Sequence, residues 1–493
     1  MKSRQTLVVG SGAGGLTLAL LLARAGRNVT LIEKQSTIGG YLRRFVRDGV
    51  RFDTGYHFSG GFNDVMRQMT KVLGIDDLVA ADPIENRIIL RESAQDIRLP
   101  AGCGHREVEE IFASHFPGEA RGIREFEKAI REIWRKTPMC DLTDLSPLLL
   151  ELSSYDLVTA GDLCAKLGLS AASETATGSF AMCHGSPVSE TPMSFHGRIG
   201  FSIHDHLSRP VGGGDPMIAG FRREAKKLGI TILTGTSLRR FADPDGDGEC
   251  HEAILADGTS IAVDEVFFTT HPQVIRNVLP EKALTTSLRR RFNRMHESIG
   301  FFCAYYRVDD DFNLRPGLLS YFADNDLDGI LRNGSGYSTG YMLERETGTD
   351  GKPHNTLAAF RTMRDLPAAF SVPHRERLHL AEYQEFKERI TAEIADDLVG
   401  IMPELKGRLA AVTAGTPLTC LDYDPPTGSA YGVCCVCGQS RVFGRLPVRN
   451  FHAAGQSSLV PGVMGTMLAS FTVFRTALGE ETYRRVLRES GLV

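Results

Sequence analysis

Apolar residues near the start of the chain fall into short blocks punctuated by glycine. Thr6–Val9 (TLVV) reads as a buried strand, and Leu16–Ala25 (LTLALLLARA) as a helix of strong helix formers that stops at Gly26. Asn28–Ile32 (NVTLI) is a second strand that closes on Glu33. Further along, Glu107–Lys136 has helical periodicity interrupted at His115-Phe-Pro117, which predicts two helices. Leu142–Leu167 is largely apolar and predicts helix after Pro147. Pro216–Lys227 predicts a helix, and Ile230–Leu233, Ser237–Phe241, Glu252–Leu255 and Ser260–Phe268 predict strands. Pro461-Gly462-Val-Met-Gly465 opens a last helix, Thr466–Leu478. No apolar run approaches the ~20 residues of a spanning helix.

The turn after the first strand carries the first chemistry. It reads Gly10-Ser-Gly12-Ala13-Gly14-Gly15, so strand, glycine-rich turn, helix, strand and acidic residue follow in order. Gly10 permits the tight turn, Gly12 lets backbone approach a pyrophosphate, and Gly15 lets the helix pack closely on the strand. The helix N-terminus offers free N–H groups and a positive dipole end to phosphates. Glu33 lies 23 residues after Gly10, close to the spacing of about 20 at which a carboxylate meets an adenosine ribose. Lys34 follows it. A second glycine pair, Gly39-Gly40, lets backbone run along an extended cofactor. Lys2, Arg4 and Ala23-Arg24-Ala25 imitate a secretory signal, but the dinucleotide unit accounts for the same residues more specifically.

With Val50-Arg-Phe-Asp53-Thr-Gly55-Tyr56-His57-Phe58 added, the sequence resembles the FAD superfamily that includes amine oxidases and phytoene desaturases. FDTGYHFSGG is most similar to the carotenoid isomerase and retinol saturase branch. Thr416-Pro-Leu-Thr419, Gly428-Ser-Ala-Tyr431-Gly432 and Asn450-Phe-His-Ala-Ala-Gly455-Gln456 extend the resemblance over most of the chain. Most relatives have Asp where this chain has Gln456. The resemblance implies an α/β protein with a discontinuous Rossmann-like FAD-binding domain, at about 1–75, 205–275 and 410–493, and a mixed α+β substrate domain, at about 76–204 and 276–409. It implies FAD contacts at Gly10, Gly12, Ala13, Gly14, Gly15, Glu33, Lys34, Gly39, Gly40, Gly55, Gly455, Gln456, Gly462, Val463 and Met464. Tyr56 and His57 should lie near the flavin, where either can supply a proton. The implied reaction is saturation, desaturation or isomerisation of a carbon–carbon double bond in a polyene or isoprenoid-like substrate. The rivals are an amine oxidase on the same fold and a non-catalytic binder of prenylated partners. The single Trp134 lies in a helix pattern far from the C-terminal flavin segment, which counts against an oxidase cage. Intact glycines and Glu33 count against a non-catalytic protein.

Composition narrows the partners. A formal net charge of −4 gives no electrostatic reason to bind nucleic acid. The 10 cysteines are scattered, which suits a reduced, cytoplasmic protein. Cys434-Cys435-Val-Cys437 holds one CxxC without a second, so free thiols in a packed strand are expected rather than zinc. Asp243-Pro-Asp245-Gly-Asp247-Gly248 imitates a calcium loop but lacks the closing Glu, which makes it a turn. His184, His196, His204 and His206 cluster in sequence, but His204-Asp-His206 sets both rings on one face only if it is a strand, and no third ligand has diagnostic spacing, so ordinary polar positions rather than a metal are expected. Gly334-Ser-Gly336-Tyr-Ser-Thr-Gly340 has the wrong spacing for a second nicotinamide site, so electrons pass to or from an external carrier, a quinone or oxygen. Phe301-Phe-Cys-Ala-Tyr-Tyr306, Leu318–Phe322 and the Leu148–Leu152 run offer apolar surface for a substrate tunnel, and a Leu-rich segment can also touch a membrane surface.

Overall fold

The structure is a computed structural model that describes residues 4–146, 152–332, 336–423, 427–439 and 441–493. The first sheet is built from β1 (Gln5–Val9), β2 (Asn28–Ile32), β3 (Thr231–Leu233), β4 (Glu265–Phe268), β5 (Gly444–Arg445) and β6 (Phe451–Ala453). Its order is β5-β6-β4-β1-β2-β3. All neighbours are parallel except β5, which pairs antiparallel to β6. A parallel sheet is covered on both faces, and Leu7, Val8, Val9, Leu31, Ile32, Val266, Phe267 and Phe268 are buried in it. The register sets Val9 beside both Ile32 and Phe268. The strand ends therefore converge on Gly10, Glu33 and Thr269.

Two helices complete this unit. Helix α1 (Ala13–Arg24) leaves β1, and α2 (Gly462–Leu478) leaves β6 and crosses α1. The crossing is close because Gly14 has no side chain: a Cβ there would sit 2.6 Å from Thr466 Cγ2. Ser470 Oγ donates to Gly14 O at 2.9 Å across the same contact.

The second sheet has seven strands, in the order Leu409–Gly415, Gly300–Val308, Pro353–Met363, Ser338–Thr347, Gly317–Phe322, Glu85–Leu90 and Gln95–Leu99. It is antiparallel except where Gly317–Phe322 meets Glu85–Leu90. Helices His105–His115, Ala120–Arg135 and Met193–His204 pack with one face in a single apolar core. Helix Ala381–Ile401 covers the other face. Two short ribbons, Arg44–Arg47 with Val50–Asp53 and Ala81–Pro83 with Ser208–Pro210, lie where the chain passes between the sheets.

Most expected elements appear within a residue or two of their expected ends. Two expected strands and one conditional one differ for local reasons. Ser260–Phe268 is not one strand: Ser260–Ala262 joins a small antiparallel sheet, and β4 joins the large one. The break falls at Asp264, whose carboxylate accepts the Gln5 N–H at 2.8 Å and docks the chain onto the sheet end. His204 is the last residue of a helix rather than part of a strand, and His206 follows at φ 55°. Cys434–Cys437 is a loop, in which the Cys435 N–H donates to Ser186 Oγ at 3.3 Å. In the Leu142–Leu167 stretch, residues 147–151 lie outside the described residues, as do 334 and 335 of the second glycine-rich stretch; the described helix is Ala160–Leu167.

Candidate active site

The turn from β1 into α1 is shaped by three distinct backbone demands. Gly10 has φ 98°, where L side chains are strained, and its N–H donates to Ile32 O at 2.9 Å. At Gly15 a Cβ would sit 1.9 Å from Gly10 O, so only glycine lets the helix start here. Gly12 differs from both: its φ is −66°, and a Cβ would meet nothing within 4 Å. The space above Gly12 is therefore open, and the first-turn N–H groups of α1 border it.

That space is one end of a cavity of about 400 Å³. Gly10, Gly12, Ala13, Gly14, Glu33, Lys34, Gly40 and Gly55 line it, as do Gln456, Gly462, Val463 and Met464 at the start of α2. Glu33 Oε2 accepts from Ser11 N at 3.0 Å and Ser11 Oγ at 2.6 Å, and Oε1 accepts from Gln35 N at 2.8 Å. Gln456 Nε2 donates to Ala430 O at 2.9 Å. Three of the expected contact residues stand behind the wall: Gly15 under the turn, Gly39 against Ile218, and Gly455, at φ 104°, against Thr269 O. This donor set, open backbone N–H groups beside a buried carboxylate, is of the kind that suits an extended dinucleotide.

The other end of the cavity lies against the second sheet and is lined by Ile199, Ile203, Phe301 and Phe360. Cys183 and Cys303 also line it, and burial pushes each thiol up to about 12, so both stay protonated and unreactive. Tyr56 and His57 are here too. The Tyr56 side chain is buried, and burial holds its phenol well above the usual range. His57 stacks on Phe360 at 5.1 Å between centroids. Its Nδ1 lies 4.0 Å from Asp53 Oδ2. Burial pushes its pKa down to about 4, aided by Arg209 and Arg44 and opposed by Asp53.

Sequence reasoning missed the ions behind His57. Asp53 Oδ1 meets Arg44 Nε at 2.8 Å, and Oδ2 meets Arg209 Nη1 at 2.5 Å. Arg209 also donates to His57 O at 2.9 Å. Asp53 stood inside the family stretch, whereas Arg209 sits in a short polar ribbon that carries no pattern. A second missed cluster is His105, Glu127 and His204, with His105 Nε2 at 3.3 Å and His204 Nδ1 at 3.2 Å from Glu127 Oε2. The Arg131 guanidinium, which can only donate, lies 3.3 Å from His105 Nδ1. This leaves the proton on Nε2, facing the carboxylate, as in a hydrogen-bonded triad. His184 Nε2 lies 3.0 Å from His196 Nδ1 in the same core.

Residues 8–73 match the NAD(P)-binding Rossmann-like domain. The chain is 21% identical over 528 residues to all-trans-retinol 13,14-reductase of Danio rerio, covering 94% of this chain and 84% of that one. It is 34% identical over 131 residues to chloroplastic prolycopene isomerase of Daucus carota, covering 24% of this chain and 20% of that one. The chain is a homologue of these proteins. Among solved structures, putrescine oxidase bound to putrescine has the same fold, with a TM-score of 0.64, 16% identity, and coverage of 97% of this chain and 98% of that one. The expected α/β fold and the expected resemblance to the retinol saturase and carotenoid isomerase branch are both met.

Proposed function

We propose that this protein is an FAD-dependent oxidoreductase that acts on carbon–carbon double bonds of a polyene or isoprenoid-like substrate, by saturation, desaturation or isomerisation. The observation that carries this reading is one continuous cavity. It runs from a dinucleotide-type turn, past the N-terminus of α2, into an apolar chamber walled by Phe301, Phe360 and Ile203. Bound there, FAD supplies hydride exchange with carbon. The open N–H groups of the α1 turn hold the pyrophosphate, and Glu33 accepts from the ribose. The start of α2 favours negative charge on the flavin. Tyr56 and His57 border the reacting end, where His57 passes the proton. The apolar chamber excludes water and so protects the reduced state from side reactions.

The reading divides the chain between an FAD-binding part around the first sheet and a substrate part around the second. Electrons come from an external partner. Leu152 and Leu157, 82% and 78% exposed, offer apolar surface to a membrane; among the described residues no helix is long and apolar enough to cross one. The cofactor assignment is tested on the purified protein. It should be yellow and should release free FAD on acid denaturation. A folded protein that stays colourless with excess FAD would overturn the assignment.

A further inference from the structure

A proton donor at His57 meets a difficulty. The ring is uncharged at neutral pH, because burial and two guanidiniums hold its pKa down to about 4. An uncharged imidazole can still deliver a proton from one nitrogen if it takes one at the other. Nδ1 is enclosed, faces Asp53 and has no hydrogen-bond partner among the described residues. The ring itself lines the cavity, which leaves the Nε2 edge for a substrate.

Behind Nδ1 stand three carboxyls and two guanidiniums. Asp53 is held by both arginines: Arg44 Nε at 2.8 Å and Arg209 Nη1 at 2.5 Å. Glu346 is also held by both: Arg44 Nη2 at 2.8 Å and Arg209 Nη2 at 3.0 Å. Glu344 is held by one, through Oε2 to Arg209 Nη2 at 2.8 Å. Its Oε1 is enclosed and has no hydrogen-bond partner among the described residues. Arg345, between the two glutamates, is on the other face of the strand. Asp215, half exposed, lies 4.0 Å from both Arg44 and Arg51, so it is balanced at the surface. Tyr56 and Tyr305 also face the cluster and stay neutral, because burial pushes both phenols up. Three carboxylates on two buried guanidiniums would leave one negative charge uncompensated, and that is costly. One retained proton removes the excess, and the least-held oxygen, Glu344 Oε1, is its natural seat. Burial and the neighbouring Asp53 favour the neutral Glu344 as well. A ligand atom of Glu344, one of Asp53 and one of His57 lie within 4.8 Å of one another. The two guanidiniums already occupying the carboxylates exclude a metal ion from the same spot.

We propose that Glu344 is the protonated carboxyl that resupplies His57, making the cluster the proton reserve of the cavity. This rests on the reading that an alkene is reduced there. In the proton step, the His57 Nε2–H bond breaks as a substrate C–H bond forms. The Glu344 O–H bond breaks as Nδ1–H forms, between groups that bring atoms within 4.8 Å of one another; after the product leaves, Nε2 takes a proton from solvent in the cavity and Nδ1 returns its proton to Glu344, which resets both groups. The electron pair for the other new C–H bond is the hydride of the proposed reaction, so the cluster itself undergoes no redox change.

The test has two arms. The first is infrared spectroscopy of the whole protein at neutral pH, with and without ¹³C-labelled glutamate. A carbonyl stretch of a protonated carboxylic acid should appear, shift with the label and vanish in Glu344→Gln. Glutamine has the shape of the neutral acid, so this variant should fold with an unchanged Tm. No such band, or a variant that fails to fold, means that Glu344 is a carboxylate paired with Arg209 and overturns the proposal. The second arm uses the FAD-loaded enzyme and a conjugated polyene. Glu344→Gln should slow reduction by roughly 10²-fold or more with a changed solvent isotope effect, at unchanged FAD affinity. A rate within about threefold of the parent and an unchanged isotope effect also overturn it. If the parent enzyme reduces no polyene, the functional reading fails instead, while the infrared arm still decides where the proton sits.

Discussion

Gly10, Gly12 and Gly15 of the β1–α1 turn look alike in sequence but do different work. Valine at Gly15 would collide with Gly10 O, and valine at Gly10 would be strained at φ 98°. Valine at Gly12 meets neither problem, since its Cβ would point into open cavity. Gly12→Val should therefore fold with a near-parental melting curve and lose FAD binding, because its branches take the place of the pyrophosphate. Glu33→Gln should fold and bind FAD more weakly by about 1.5–3 kcal/mol, the worth of hydrogen bonds to a charged acceptor. Titration of FAD into the two apo variants checks the order. If Glu33→Gln were the more damaging, the pyrophosphate would not lie over Gly12. The sequence located this turn because its spacing is a property of the local chain. It could not separate the glycines that touch the cavity from Gly15, Gly39 and Gly455, which stand behind it, because that depends on Thr269 and Ile218 arriving from far away. Asp53 and His57 were readable as a motif. Their meaning was not, since Arg209 and Glu344 come from segments 152 and 135 residues away from the partners they hold.

At the scale of elements, the contact of α1 with α2 fixes where the cavity mouth lies, because both helices open onto it. The contact depends on the absence of a side chain at Gly14. Gly14→Val should force the helices apart and cost about 1–3 kcal/mol, the usual penalty of overpacking, in addition to reduced FAD affinity. Urea denaturation checks the first effect, and a parental midpoint would show that the helices do not pack as described. Element boundaries were legible wherever one periodicity held along the chain, as for α1, β2 and helix Ala120–Arg135. They failed at Asp264, where Ser260–Ala262 belongs to one sheet and Glu265–Phe268 to another. The polar pair Asp264-Glu265 marks that step in the sequence, and the bond from Gln5 N to Asp264 fixes it in the fold.

For the whole molecule, folding buries several histidines without charging them. Burial pushes His184 down to about 3 and His57 and His105 down to about 4. Unfolding returns each ring to about 6.5. Below that pH the unfolded chain binds more protons than the folded one, so stability falls as pH drops from about 6.5 towards 4. Each fully titrating ring contributes about 1.4 kcal/mol per pH unit in that window. Melting temperatures measured between pH 7.5 and 4.5 should therefore be level above pH 7 and fall with increasing slope below 6.5. A curve flat to pH 5 would mean that these rings are charged in the folded protein.

The measurement that bears most directly on the central claim is anaerobic rapid mixing of the reduced flavoprotein with conjugated polyenes. The flavin should be reoxidised as polyene absorbance is lost, or the polyene should isomerise without net redox change. The contrary result has three parts: polyenes do neither, the oxidised protein desaturates no allylic isoprenoid, and small amines reduce the flavin quickly. In that case the cavity serves an amine oxidase and no polyene is its substrate.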